Sequence, residues 1–237
     1  MTLAVLHRDR HFLVVAKPPG LPTTSPAAGD SLARRVHVLD PDAPRLHPSS
    51  RLDADVSGVV TFARTRRATK ALLAARKRGA YERLYLALCA RAPEPGAGRW
   101  ERAIARDAHD PRKRVVCDDP GEGQPAATDY RTAAQSPHAC LLFLWPQTGR
   151  THQLRVHAAG ADVPLLGDRP YGGPGRVVLP DGRTTRLPRV MLHCARVRVP
   201  DPDGSGCLTF LAPAPDDLVA TWTRLGGDPA ALSALPD

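Results

Sequence analysis

Proline restricts this chain more than any other residue. It occupies 25 of 237 positions, about twice the usual share of ~5%. The prolines are spread along the chain and form no tail. They read as loop punctuation between short elements, most of them strands. Phe12 to Ala16 is one such strand, ended by Lys17-Pro18-Pro19-Gly20. Tyr81 to Cys89 and Thr128 to Ala133 alternate as strands do, and Pro146 stops an apolar strand over Leu141 to Trp145. Val163 to Leu166 predicts a further strand. Val177 to Thr185 predicts a hairpin around Asp181-Gly182, and Leu192 to Val199 pairs with Leu208 to Ala212 around Asp203-Gly204.

Helices are fewer. Thr65 predicts an N-cap, followed at helical spacing by Ala68, Ala71, Leu72 and Ala75, and Gly79 closes the helix. Its other face is basic and reads as a solvated surface, with an RNA-facing role as the alternative. Thr151 to Ala159 predicts a short helix capped by Thr151 and ended by Gly160. Asp217 to Leu225 predicts a last helix. Gly121 to Ala127 predicts a mobile loop. Many hairpins with few helices argue a mixed, largely antiparallel sheet with peripheral helices, the α+β class.

A 42% hydrophobic content can fill a sizeable core, and 5% aromatics make that core one of Leu, Val and Ala. No apolar run approaches the ~20 residues of a membrane span. The first ten residues lack the pattern of a signal peptide. A cytoplasmic protein is expected. Five cysteines, an odd number with no C-x-x-C pair, predict buried reduced thiols rather than a zinc site or disulfide frame. The net charge of +9 suggests a polyanionic partner, nucleic acid above all. Only Lys17, Lys70, Lys77 and Lys113 are lysines. The arginine excess suits phosphate contacts and equally fits a GC-rich coding sequence.

The stretch Ser50-Arg51-Leu52-Asp53-Ala54-Asp55-Val56-Ser57-Gly58 places a charged tripeptide in a Ser/Gly-rich loop just before the buried strand Val59 to Ala63. A scaffold presents a reactive carboxylate in such a place. Read alone, Asp53 is also a turn or capping carboxylate, Tyr85 a half-buried strand tyrosine and Arg150 a surface charge before a helix.

This run resembles the aspartate signature of pseudouridine synthases of the RluA type, in the RluA/RsuA superfamily, with Ser50 in place of a His and Val56 in place of a Thr. Lys17-Pro18-Pro19-Gly20 is similar to the family's K-P-x-G loop, and Arg83-Leu84-Tyr85 to its K-x-Y strand. Thr148 to His157, Leu165 to Gly172, Leu192-His193-Cys194, and Leu211-Ala212-Pro213 with Asp217-Leu218 match further blocks in family order. The resemblance implies the pseudouridine synthase fold, a large, mostly antiparallel bent sheet with a central RNA-binding cleft. It implies one catalytic domain over 1–237, with a core of about 10–220, lacking an N-terminal RNA-binding module.

It also implies an isomerase that converts uridine to pseudouridine in ribosomal or transfer RNA. Asp53 would be the catalytic aspartate, either attacking as a nucleophile or taking a ribose proton. Arg150 would pair with it and hold it ionised. Tyr85 would stack on the uracil and help remove the carbon-5 proton. Arg51 would fill the space left when the uridine flips out, and Leu192 would line the apolar side of the pocket. No cofactor and no metal is implied, and RNA is the partner of a chain expected to be monomeric. Without the N-terminal module, substrate choice falls to basic loops such as Arg99 to Arg114 and the hairpin near Arg176 to Arg189.

Two rivals differ in class. A metal hydrolase would use His152 and His157, but a spacing of five puts them about 140° apart round a helix, too far for one face, against a spacing of four in H-E-x-x-H. A non-catalytic RNA-binding or RNA-folding protein would bind without converting a base.

Overall fold

The computed structural model describes residues 3–25, 29–43, 46–119, 121–179, 181–204 and 206–236. In chain order its elements are β1 (Ala4–Arg8), β2 (Phe12–Lys17), α1 (Leu32–Leu39), β3 (His47–Pro48), β4 (Ser57–Ala63), α2 (Arg66–Lys77) and β5 (Glu82–Cys89). Then come β6 (Ala97–Glu101), β7 (Ala103–Arg106), β8 (Arg114–Cys117), β9 (Ala127–Ser136), β10 (Ala139–Pro146) and α3 (Gln153–Gly160). The series ends with β11 (Arg176–Val178), β12 (Thr184–Arg186), β13 (Leu192–Pro200), β14 (Cys207–Leu211) and α4 (Asp216–Arg224). Short 3-10 turns lie at Arg169–Tyr171 and Pro229–Leu232. The chain is of the expected α+β class. It divides into two compact units, Met1–Arg83 with Cys194–Pro213, and Leu84–His193 with Ala214–Asp237.

In the first unit β2 is the apolar strand that its sequence predicts. It runs antiparallel to β4 with Phe12 opposite Ala63 and Lys17 opposite Gly58. β1 flanks β2 and the two-residue β3 pairs with the end of β4. β13 and β14 form the expected hairpin, Val197 opposite Phe210. Every residue of β4 is buried. Gly58 has φ +123°, and a β-carbon there would stand 2.2 Å from the Cys194 carbonyl oxygen, so only glycine allows these backbones to approach. Thr65 caps α2 by accepting from the Ala68 amide, and Ala68, Leu72 and Ala75 are buried. These positions, spaced i, i+4 and i+7, form the single apolar stripe of a surface helix.

In the second unit β5, β10, β9 and β6 are neighbours in that order, each pair antiparallel. β7 pairs with β8 and β11 with β12. Residue 180, inside the expected β11–β12 hairpin, lies outside the described residues. α4 begins with Asp216 and Asp217, which suit the positive end of its dipole. It buries Trp222 completely, with the indole N–H donating to the Asp228 carbonyl at 2.8 Å.

Several expectations need correction. Val163 to Leu166 is not a strand: Leu165 makes one bridge to Cys89, and Pro164 has no amide to continue a ladder. Arg99 to Arg114 is not a loop but holds most of β6, all of β7 and the first residue of β8. Gly121 to Ala127 is held by packing, since Gln124 exchanges backbone bonds with Ile104 at 2.9 Å each way and Ala126 is buried. Of the thiols, Cys89, Cys140 and Cys194 are buried, Cys117 is half-buried and Cys207 exposed; all are free. Among the described residues no helix is long and apolar enough to cross a membrane.

Candidate active site

Arg51 and Asp53 share one loop of the first unit, which leads directly into β4. Arg51 is exposed and Asp53 half-buried. Between them Leu52 is buried and doubly clamped. Its amide donates to the Thr23 hydroxyl oxygen at 3.0 Å, and that hydroxyl donates to the Leu52 carbonyl at 2.8 Å. The Val56 amide closes a turn on the Asp53 carbonyl at 3.1 Å. The far side of the turn is held by Lys17. Its ammonium donates to the carbonyls of Pro18 at 2.9 Å, Leu21 at 2.7 Å and Ala54 at 2.8 Å. Lys17 is only 1% exposed, and its cost of desolvation is met because its three N–H groups reach three carbonyl oxygens. The β2–β4 register places Lys17 opposite Gly58, so the ammonium reaches the residue next to Asp53.

Ser50, the departure from histidine, is buried and accepts from the Tyr81 hydroxyl at 3.2 Å. Tyr81 also bonds Ser49 at 3.0 Å and Thr61 at 3.1 Å. The hydroxyl at position 50 therefore anchors the start of the loop in a polar cluster. Val56, the other departure, is buried as an apolar residue.

Tyr85, Arg150 and Leu192 belong to the second unit. Tyr85 is 6% exposed, more buried than its strand position predicts, in the centre of β5 and opposite Leu144 of β10. The Leu88 amide donates to the Met191 carbonyl at 3.0 Å, tying β5 to the segment that carries Leu192. Leu192 is buried, and its carbonyl accepts from Arg189 at 3.2 Å. Arg189 also forks onto Asp217 at 2.6 and 2.9 Å. Burial, the largest single influence, raises the Asp217 carboxyl pKa, but the Arg189 bonds and charge together with backbone N–H bonds from Leu218 and Asp217 bring the group below the usual carboxylate value.

Arg150 is half-buried, with its Nε donating to the Pro125 carbonyl at 3.0 Å. Its backbone amide donates to the Gln153 side-chain oxygen at 3.0 Å, and the Thr148 hydroxyl donates to the same oxygen at 2.6 Å. The Gln153 amide nitrogen donates in turn to the Ala127 carbonyl at 2.8 Å and the Thr128 hydroxyl oxygen at 3.0 Å. This explains why α3 does not start at Thr151. Gln153 folds back onto the loop, His152 turns left-handed at φ 57°, and no side chain caps the helix.

The network continues through His157. Nε2 lies 3.0 Å from the Arg102 carbonyl and Nδ1 2.9 Å from the Thr128 hydroxyl. A carbonyl only accepts, so Nε2 carries the proton and Nδ1 accepts from Thr128. Burial lowers the His157 pKa and keeps the ring neutral. His152 bonds the Tyr171 hydroxyl at 2.6 Å. Arg155 forks onto buried Asp168 at 2.8 and 2.7 Å and lies over the Tyr171 ring. Among the described residues no group of three or more His, Cys, Asp or Glu could hold a metal ion. Sequence reasoning noted Lys17, Gln153, Arg155, Asp168 and Tyr171 only as letters in matched blocks. Their signal was the block itself, since spacing does not reveal that Lys17 meets Ala54 or that Gln153 meets Thr128.

Comparison with known proteins accounts for this arrangement. Residues 11–160 match the family model described as RNA pseudouridylate synthase. The ribosomal large subunit pseudouridine synthase D of Xanthomonas campestris pv. campestris is 35% identical over 98% of this chain and 72% of its own length. The dual-specificity RNA pseudouridine synthase RluA of Salmonella typhimurium is 32% identical over 90% of this chain and 93% of its own. The solved structure of human RNA pseudouridylate synthase domain containing 1 superposes with a TM-score of 0.71 at 26% identity, covering 99% of this chain and 96% of that one. The chain belongs to the RNA pseudouridylate synthase family and is an RNA pseudouridine synthase, an isomerase.

Proposed function

We propose that this enzyme isomerises a uridine of ribosomal or transfer RNA with Asp53, Arg150 and Tyr85 acting on the same nucleotide. The bond between uracil N1 and ribose C1′ breaks, the ring turns, and C5 joins C1′. C5 then gives up its proton and N1 gains one. No electrons are gained or lost overall, so the reaction itself calls for no redox cofactor.

In this reading Asp53 assists cleavage at the ribose, by attack or by proton abstraction. Arg150 aims it. Tyr85 lies against the uracil face and takes part in removing the C5 proton. Arg51, exposed beside Asp53, takes the place of the flipped base, and Leu192 packs on the apolar side. Residues 1–237 work as one catalytic domain, as a monomer, in the cytoplasm.

The observation that carries the reading is the construction of the Asp53 loop. Leu52 and Ala54, on either side of the aspartate, are tied down by Thr23 and Lys17, neither of which is a partner for solvent. A carboxylate held between two such anchors is preorganised for chemistry rather than for capping. Ribosomal RNA is suggested by the name of one relative, a ribosomal large subunit pseudouridine synthase, and the other relative is named only as of dual specificity; the net charge of +9 suits any RNA.

Unmodified transcripts of large-subunit ribosomal RNA and of transfer RNAs, each carrying tritium at uracil C5, separate the two classes. Tritium released to water from one class and not the other assigns the substrate. Release from neither, by folded protein that binds both, would overturn the proposal.

A further inference from the structure

The first turn of α2 carries its charge against the helix's own stability. Its sequence, Arg-Arg-Ala-Thr-Lys-Ala-Leu-Leu-Ala-Ala-Arg-Lys, contains no acidic residue. Arg66 and Arg67 occupy the first turn, where the helix dipole is positive and cations are unfavourable. Lys70 stands four residues from one and three from the other, so both spacings bring like charges together. The contrast with α4, which opens on two aspartates, lies within the same chain.

The charges are also ordered. Arg66, Lys70, Leu73 and Lys77 fall within about 60° of one another around the axis and extend along roughly 16 Å of helix. All four are exposed, and Leu73, an apolar residue in the middle of the stripe, is 57% exposed. Beside the N-terminal end of the stripe Arg67 is already paired, bonding Asp203 at 3.3 Å and the Pro202 carbonyl at 2.9 Å, and is no part of the stripe. Arg10 meets the same Asp203. Compositional drift toward arginine does not explain the stripe, because two of the four lysines in the whole chain, Lys70 and Lys77, stand on it.

We propose that the outer face of α2 is a second RNA-docking surface, which holds the phosphate backbone of a helical segment of the substrate away from the reacting uridine. The proposal deepens the reading above by assigning where part of the substrate is gripped. Its occupant follows from charge complementarity: a face of one sign, long enough to meet several phosphates, in an enzyme whose family acts on RNA. Leu73 would rest on sugar edges between the phosphate contacts. Such contacts position the nucleic acid and carry no sequence information.

The test is binding of a 20-base-pair RNA duplex of arbitrary sequence to the full-length protein, measured across salt concentration. Wild type is compared with R66A/K70A/K77A. Three lost phosphate contacts lower the slope of log affinity against log salt by about 2 to 3. Between 50 and 200 mM salt, wild type then loses roughly 40-fold more affinity than the variant. The variant removes two unfavourable charges near the helix start and one favourable charge, Lys77, from its last turn, so its thermal midpoint should stay close to that of wild type, which separates lost docking from lost folding. It should raise KM for a structured RNA and leave kcat unchanged. Equal affinity and slope in the two proteins would overturn the docking surface, whereas absence of tritium release by wild type would instead overturn the catalytic reading.

Discussion

The loops carrying Asp53 and Arg150 are held by opposite kinds of chemistry. The Asp53 loop is pinned by a buried cation, since Lys17 spends its N–H groups on the carbonyls of Pro18, Leu21 and Ala54. The Arg150 loop is pinned by neutral groups, from Gln153 through Thr128 to His157. In both, the anchor grips backbone at or beside the candidate residue. The difference lies in what disturbs them. A cation on three carbonyls depends on remaining charged, while a chain of amide, hydroxyl and imidazole depends on each member keeping its assigned proton.

The largest effect should follow from breaking the first anchor. Lys17→Met leaves buried carbonyls without a donor. It should destabilise the fold by about 3 kcal/mol or more, read from urea unfolding, and abolish most activity. If the variant kept wild-type stability, the buried ammonium would not be what holds the loop.

Next in size is the second anchor. Gln153→Leu keeps the volume but strips the acceptor from Thr148 and Arg150 and the donor to Thr128. A loss of about 2 kcal/mol is expected, with kcat falling more than KM because the Arg150 loop is loosened while RNA contacts elsewhere persist. Gln153→Glu restores the acceptor but buries a carboxylate against the Ala127 carbonyl, and should cost at least as much as Gln153→Leu.

The smallest effect sharpens the comparison by pH. Burial lowers the His157 pKa in the folded state, so the unfolded chain takes up this proton first. Stability from this group is intact above pH ~6.5. It declines as pH falls from there toward the folded-state pKa. Protection of the Arg150 amide against hydrogen exchange should weaken over that window, corrected for intrinsic rates, while that of Leu52 should not. A His157→Gln variant should flatten the stability decline attributable to this site. A decline at both loops equally would remove the distinction.

Much of the fold was legible because the alternation and punctuation are local. β2, α2, β10 and α4 each announce themselves by an apolar pattern and a stop. α1 did not, because Leu-Ala-Arg-Arg-Val-His-Val-Leu buries only Leu32 and Val36 and leaves too short a stripe to recognise. β7 and β8 were hidden because their mixed residues and intervening Asp110-Pro111 read as a loop. The α3 start was misplaced because a left-handed His152 and a folded-back Gln153 override the cap that Thr151 suggests. Asp53, Tyr85 and Arg150 could be picked out from motifs as candidates, but the groups that hold the Asp53 and Arg150 loops could not be derived from spacing. Lys17 and Ala54 are 37 residues apart, and Gln153 and Thr128 are 25, and only tertiary structure joins them.

The central claim is that Asp53 is the group on which isomerisation depends. Its most direct test is tritium release from C5-labelled RNA by Asp53→Asn, with RNA affinity measured on the same preparation. Asparagine keeps the size but removes the carboxylate proposed to act as nucleophile or base. The expected result is unchanged RNA affinity with release no greater than that from RNA alone. Release at the wild-type rate would contradict it.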